Sequence, residues 1–111
     1  MRIDEQVRGA VTFLRPDGAI AQKDSKTFRE ALLRAAKRSM GRCVVDATAI
    51  PFMDSAALEA LLDANDELAS AGRALKLCGL NETVRECLEL PGLSGQFDIY
   101  DDGVSAARSF L

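Results

Sequence analysis

The sequence predicts a single α/β domain, residues 1–111, built on a mixed β-sheet with interspersed α-helices. From residue 42 onward, short apolar runs alternate with longer stretches whose apolar residues recur every three or four positions. The opening residues instead hold two strand-like runs around a glycine, the pattern of an antiparallel hairpin. The 111 residues fit one domain, since domains commonly run about 100–150 residues.

The elements follow in order. Ile3 to Val7, the turn Arg8-Gly9, and Ala10 to Leu14 form the hairpin. Pro16-Asp17-Gly18 reads as a second turn leading into a short strand over Ala19 to Ala21. From Asp24 to Met40 the pattern is helical: Phe28, Leu32, Ala35 and Ala36 share a face and Gly41 supplies the stop. Arg42 to Asp46 suits a buried strand. A helix follows from Ser55 to Ala71, with Leu58, Leu61, Leu62, Asn65, Leu68 and Ala69 on one stripe and Gly72 at its end. Ala74 to Cys78 is a strand, and Asn81 caps a helix through Val84, Cys87 and Leu88 that stops at Pro91-Gly92. Phe97 to Tyr100 is the last strand. Asp101 or Asp102 then caps a helix carrying Val104, Ala107 and Phe110.

Composition removes several function classes. Hydrophobic residues make up 48% and charged residues 28%, enough apolar material for a core. The net charge of -3 argues against a nucleic-acid surface, and Arg29, Arg34, Lys37 and Arg38 read as a solvated helix face. No run approaches the ~20 apolar residues of a membrane span, and the amino terminus lacks a signal-peptide core, which predicts a cytoplasmic chain. Cys43, Cys78 and Cys87 are odd in number and widely spaced, unlike a disulfide framework or zinc site. The chain has no histidine, so the commonest metal ligand and general base are both missing. No enzyme activity, metal or cofactor is expected.

In a sheet of this kind the functional site lies beyond the carboxyl ends of the strands. Asp46-Ala47-Thr48-Ala49-Ile50-Pro51-Phe52-Met53-Asp54-Ser55 occupies that place. Its end falls at a helix start, where backbone N–H groups lack partners and the dipole favours negative charge. Asp54 or Ser55 is the expected cap, and Ile50, Phe52 and Met53 set apolar side chains just before the helix. The loop has no glycine and does not suit a nucleotide phosphate.

Phe52-Met53-Asp54-Ser55-Ala56-Ala57-Leu58 resembles the signature of the STAS domains (sulphate transporter and anti-sigma factor antagonist): Asp-Ser, two small residues, then Leu or Ile. The similarity runs over nearly the whole chain, including the order of elements and a Leu90-Pro91-Gly92-Leu93 turn. It implies a STAS-like mixed sheet and, for a chain of this size, a bacterial anti-sigma factor antagonist. In that family the motif serine is phosphorylated by an anti-sigma factor that doubles as a serine kinase. The unmodified form binds that kinase and frees a sigma factor, and a PP2C-type phosphatase resets the switch.

Carried over, the resemblance makes Ser55 the phosphoacceptor. The expected partner-binding residues are Ile50, Phe52, Met53, Asp54, Ser55 and Ala56. Two positions depart from the family pattern. Gly18-Ala19-Ile20-Ala21 stands where relatives often carry Gly-Glu-Leu-Asp, so Ala21 replaces an acidic residue, with Asp24 three places later; Ala57 replaces a common glycine. The Ala21 departure leaves a second STAS role open, that of an accessory subunit clasping the ATPase of an ABC-type lipid transporter.

Overall fold

The computed structural model describes residues 1–89, 93 and 95–111. The expected Leu90-Pro91-Gly92 turn, and with it the predicted helix stop, lies outside the described residues. The sheet runs in the order β1 (Arg2–Arg8), β2 (Val11–Asp17), β3 (Cys43–Asp46), β4 (Lys76–Cys78), β5 (Asp98–Tyr100). β1 and β2 are antiparallel and every later pair is parallel, so the sheet is mixed as the sequence predicts. Among the described residues the helices are α1 (Ser25–Arg38), α2 (Ser55–Ala69), α3 (Glu82–Leu88) and α4 (Gly103–Arg108).

The hairpin turn is Gly9-Ala10, one residue later than predicted, because Arg8 pairs with Val11. Pro16 belongs to β2, opposite Ile3, and not to a turn. Pairing of β2 with β3 covers only Thr12 to Leu14, so the missing N–H of Pro16 falls where the ladder is one-sided. The expected strand over Ala19 to Ala21 shrinks to one parallel bridge between Ile20 and Met53, followed by a 3-10 turn at Gln22–Asp24. α1 ends as predicted at Gly41, whose φ of +87° lets its N–H reach back to the Ala36 carbonyl at 2.8 Å.

Alternation along the strands sorts the core into two layers. Leu14, Val45 and Leu77 face Phe28, Leu32, Leu61, Val84 and other buried residues of α1, α2 and α3. Phe13, Val44 and Cys78 face the opposite way, against Ala106 of α4. Burying each large apolar side chain contributes about 1.5–3 kcal/mol. α2 meets the sheet and α1 through Ala57, Ala60, Leu61, Ala64 and Leu68, so it is largely small residues that let it sit close.

Asn65 lies on the same face, fully partnered: its Oδ1 accepts from Leu75 N–H at 2.8 Å and its Nδ2 donates to the Gln96 carbonyl at 2.9 Å. At α4 the cap is Asp102, which accepts from Ser105 N–H at 2.8 Å. That bond holds the Asp102 carboxyl below its usual range. Val104, expected on the apolar face, is exposed, and Ala106 takes the buried position.

Candidate functional site

The loop 47–54 leaves the carboxyl end of β3 and is fixed at both ends by local chemistry. Asp46 Oδ1 accepts from the backbone N–H of Thr48 at 3.0 Å and from the Thr48 hydroxyl, turning the chain as it leaves the sheet. Ala47 N–H donates to the Cys78 carbonyl at 2.8 Å and Gly18 N–H donates to the Ala49 carbonyl at 2.9 Å, so strands on both sides hold the loop. At the far end Asp54 is the N-cap of α2: its Oδ1 accepts from Ala57 N–H at 3.0 Å. Ser55 is the first helical residue, exposed, and takes no part in the cap.

Two residues that sequence reasoning left out of the site complete the frame. Asn81 caps α3 through Oδ1, which accepts from Val84 N–H at 2.8 Å. Its Nδ2 donates to the Ile50 and Pro51 carbonyls at 3.0 and 3.1 Å. One side chain thus ties the start of α3 to the middle of the loop. Gly79 has φ +69°, and a Cβ there would stand 2.4 Å from Thr48 Oγ1 and 3.2 Å from Asp46 Oδ1. The signal for both was present: a glycine and an asparagine just past β4, beside the loop that leaves its parallel neighbour.

The expected partner-binding residues divide. Phe52 is 49% exposed, Ser55 is exposed, and Asp54 and Ala56 are half-buried, so these four lie together at the loop–helix junction. Ile50 and Met53 do not join them. Ile50 is fully buried and Met53 is 5% exposed, both within the main core, and Met53 is pinned by its bridge to Ile20. Their burial anchors the loop and leaves Pro51 and Phe52 outside.

The parallel bridge of Ile20 with Met53 sets Ala21 level with Asp54. Asp24 turns back so that its Oδ2 accepts from Ala21 N–H at 3.4 Å.

Apolar cavities of about 550 and 460 Å³ lie elsewhere, lined by residues outside this loop. Among the described residues no group of three or more His, Cys, Asp or Glu is placed to hold a metal ion. No described helix is long and apolar enough to cross a membrane.

The described residues form a mixed five-stranded sheet with this junction at the carboxyl ends of its parallel strands, the architecture of a small α/β domain. The sequence matches the STAS domain family over residues 2–106, and the chain belongs to that family. No curated protein matches it. Among solved structures it resembles a Thermotoga maritima protein described as a candidate anti-sigma factor antagonist: TM-score 0.87, 18% identity, 96% of this chain and 92% of that one. It resembles an anti-sigma factor antagonist of Mycobacterium paratuberculosis at TM-score 0.83 and 17% identity, over 97% of this chain and 92% of that one. It also resembles the Bacillus cell-fate determinant SpoIIAA in its phosphorylated form, at TM-score 0.71 and 17% identity, over 97% and 99% of the two chains. At these identities the likeness is one of fold.

Proposed function

We propose that this chain is a phosphorylation-controlled docking module, an anti-sigma factor antagonist with Ser55 as its phosphoacceptor. The partner is an anti-sigma factor with serine-kinase activity, and a PP2C-type phosphatase reverses the modification. The observation that carries the reading is the exposed Ser55 hydroxyl on the first residue of α2, beside exposed Phe52 on a loop fastened by Asn81. A kinase reaches such a hydroxyl without unfolding the domain. A partner meets an apolar side chain and the capped start of α2 on one surface.

Phosphate at Ser55 adds about -1.5 to -2 charge and three acceptor oxygens. Within the domain the helix start gains about 0.3–1 kcal/mol from a negative charge. At a docked interface the phosphate is desolvated beside Asp54, and an uncompensated buried charge costs on the order of 3–5 kcal/mol. The interface term is larger, so phosphorylation releases the partner and leaves the fold intact.

The test uses the cognate kinase and two variants. Ser55→Ala abolishes phosphate incorporation and keeps partner binding. Ser55→Asp folds normally and binds at least tenfold more weakly, the effect of about 1.4 kcal/mol. An acidic variant that binds as tightly as the parent removes the charge switch and moves the accessory-subunit role ahead.

A further inference from the structure

The two faces of the sheet are unequally covered. α1, α2 and α3 roof one face, while α4, six residues long, is packed on the other. A helix of that length measures about 9 Å, whereas five strands about 4.8 Å apart span roughly 19 Å. The shortfall falls over β2, where Val11 and Phe13 line an open cavity of about 550 Å³ that Ala107 and Phe110 also line. Arg8, Arg42 and Arg108 also line it, with Leu111 and with no Asp or Glu side chain, in a chain whose net charge is -3. Among the described residues none of these three guanidinium groups is in an ion pair. Arg8 lies 4.4 Å above the Phe13 ring, so its charge stands directly over the apolar wall. Arg108 also complements the carboxyl end of α4, and Arg8 donates to Gln6 Oε1 at 2.9 Å, but neither contact neutralises a guanidinium charge.

We propose that this cavity binds a small anionic amphiphile, an alkyl carboxylate or alkyl phosphate. Its tail lies against Phe13 and Phe110, and its headgroup meets the three arginines. The volume falls within the range of about 300–1,000 Å³ usual for small-molecule sites. Guanidinium forks match carboxylate and phosphate geometry, and three cations outside any ion pair among the described residues repel a cationic ligand and add little for a neutral one. The cavity adjoins the hairpin turn and the residue before β3, at the amino ends of the parallel strands. Ser55 stands at the opposite ends, so this site is independent of the docking surface.

Titration of the isotope-labelled full chain with dodecanoate and dodecyl phosphate below their micelle concentrations, followed by amide chemical shifts, tests the proposal. Dodecanol and phosphatidylglycerol vesicles serve as the other arms. Saturable shifts centred on Val11, Phe13, Ala107 and Phe110 are expected with both anions, at least tenfold tighter than with dodecanol. Arg42→Gln with Arg108→Gln weakens the anions at least tenfold, and Ala107→Phe, which fills the cavity, abolishes binding. The anion-to-alcohol ratio on the parent protein decides the matter even where a variant folds poorly. Equal affinity for dodecanol reduces the cavity to a bare apolar face and overturns the proposal. Shifts that scatter or fail to saturate overturn it as an adventitious additive only. Binding to vesicles without binding to the free anions overturns it in favour of a membrane surface.

Discussion

Adjacent side chains at the start of α2 divide the labour of capping and modification. Asp54 accepts the Ala57 N–H, while Ser55 points outward without capping. Asp54→Ala should therefore destabilise the domain by about 0.5–2 kcal/mol, and Ser55→Ala should stay within about 0.5 kcal/mol of the parent, as surface substitutions do. Denaturant titration of the two variants checks this, and a large loss at Ser55 would reverse the assignment of the cap. From sequence either residue was an acceptable cap, since both types are favoured there; only the backbone placing of the first helical residue separates them.

Asn81 offers a second separation. Asn81→Asp keeps an acceptor for Val84 N–H but sets a carboxylate against the Ile50 and Pro51 carbonyls. The cap of α3 should survive while amide exchange in the loop rises at least tenfold and partner binding weakens. Asn81→Ala should lose both. Equal loop exchange in parent and Asn81→Asp would show that the clamp bonds do not hold the loop.

At the scale of elements, the long periodic helices were the most legible. The stripe from Leu58 to Leu68 located α2, and Phe28, Leu32, Ala35 and Ala36 located α1, because burial of one face imposes the 3.6-residue period. The short connections were not. Nothing local distinguishes Ala19 to Ala21 as a strand from the single bridge it makes, since the pairing partner, Met53, is 33 positions away in sequence terms. The junction between β4 and α3 is likewise a tertiary device. Gly79→Ala adds a methyl 2.4 Å from Thr48 Oγ1 at a positive φ, so both strain and collision oppose it. A loss on the order of 1–3 kcal/mol is expected, together with altered amide shifts over Asp46 to Ile50. Thr48→Ala in the same chain should recover part of the loss by removing the nearest atom. No recovery would leave backbone strain as the whole cost.

For the molecule as a whole, the cysteines report how tightly the sheet is enclosed. Burial, with Glu5 adding, pushes the Cys43 thiol up to about 12. Burial first, then Asp46 and Asp102, raises Cys78 to about 11 despite Arg8. Cys87 is half-buried, so a thiol reagent should label it first in the native state. The folded Cys43 value exceeds its unfolded value of 9.0. Its contribution is therefore full below about pH 9 and is lost as pH rises toward 12, at up to about 1.4 kcal/mol per pH unit. Denaturant unfolding at pH 8 and pH 10.5 should show the decline, and Cys43→Ala should lessen it, with the raised Cys78 thiol supplying the remainder. An unchanged slope would place the titration elsewhere. By itself the sequence determined the mixed α/β class, the order of elements and the Asp54-Ser55 junction, because periodicity, turn residues and caps act within a few residues of one another. Tertiary structure decided which side chains that junction presents. Ile50, Phe52 and Met53 are equally apolar in sequence, and the bridge to Ile20 and the clamp from Asn81, both remote along the chain, send two inward and leave Phe52 in water.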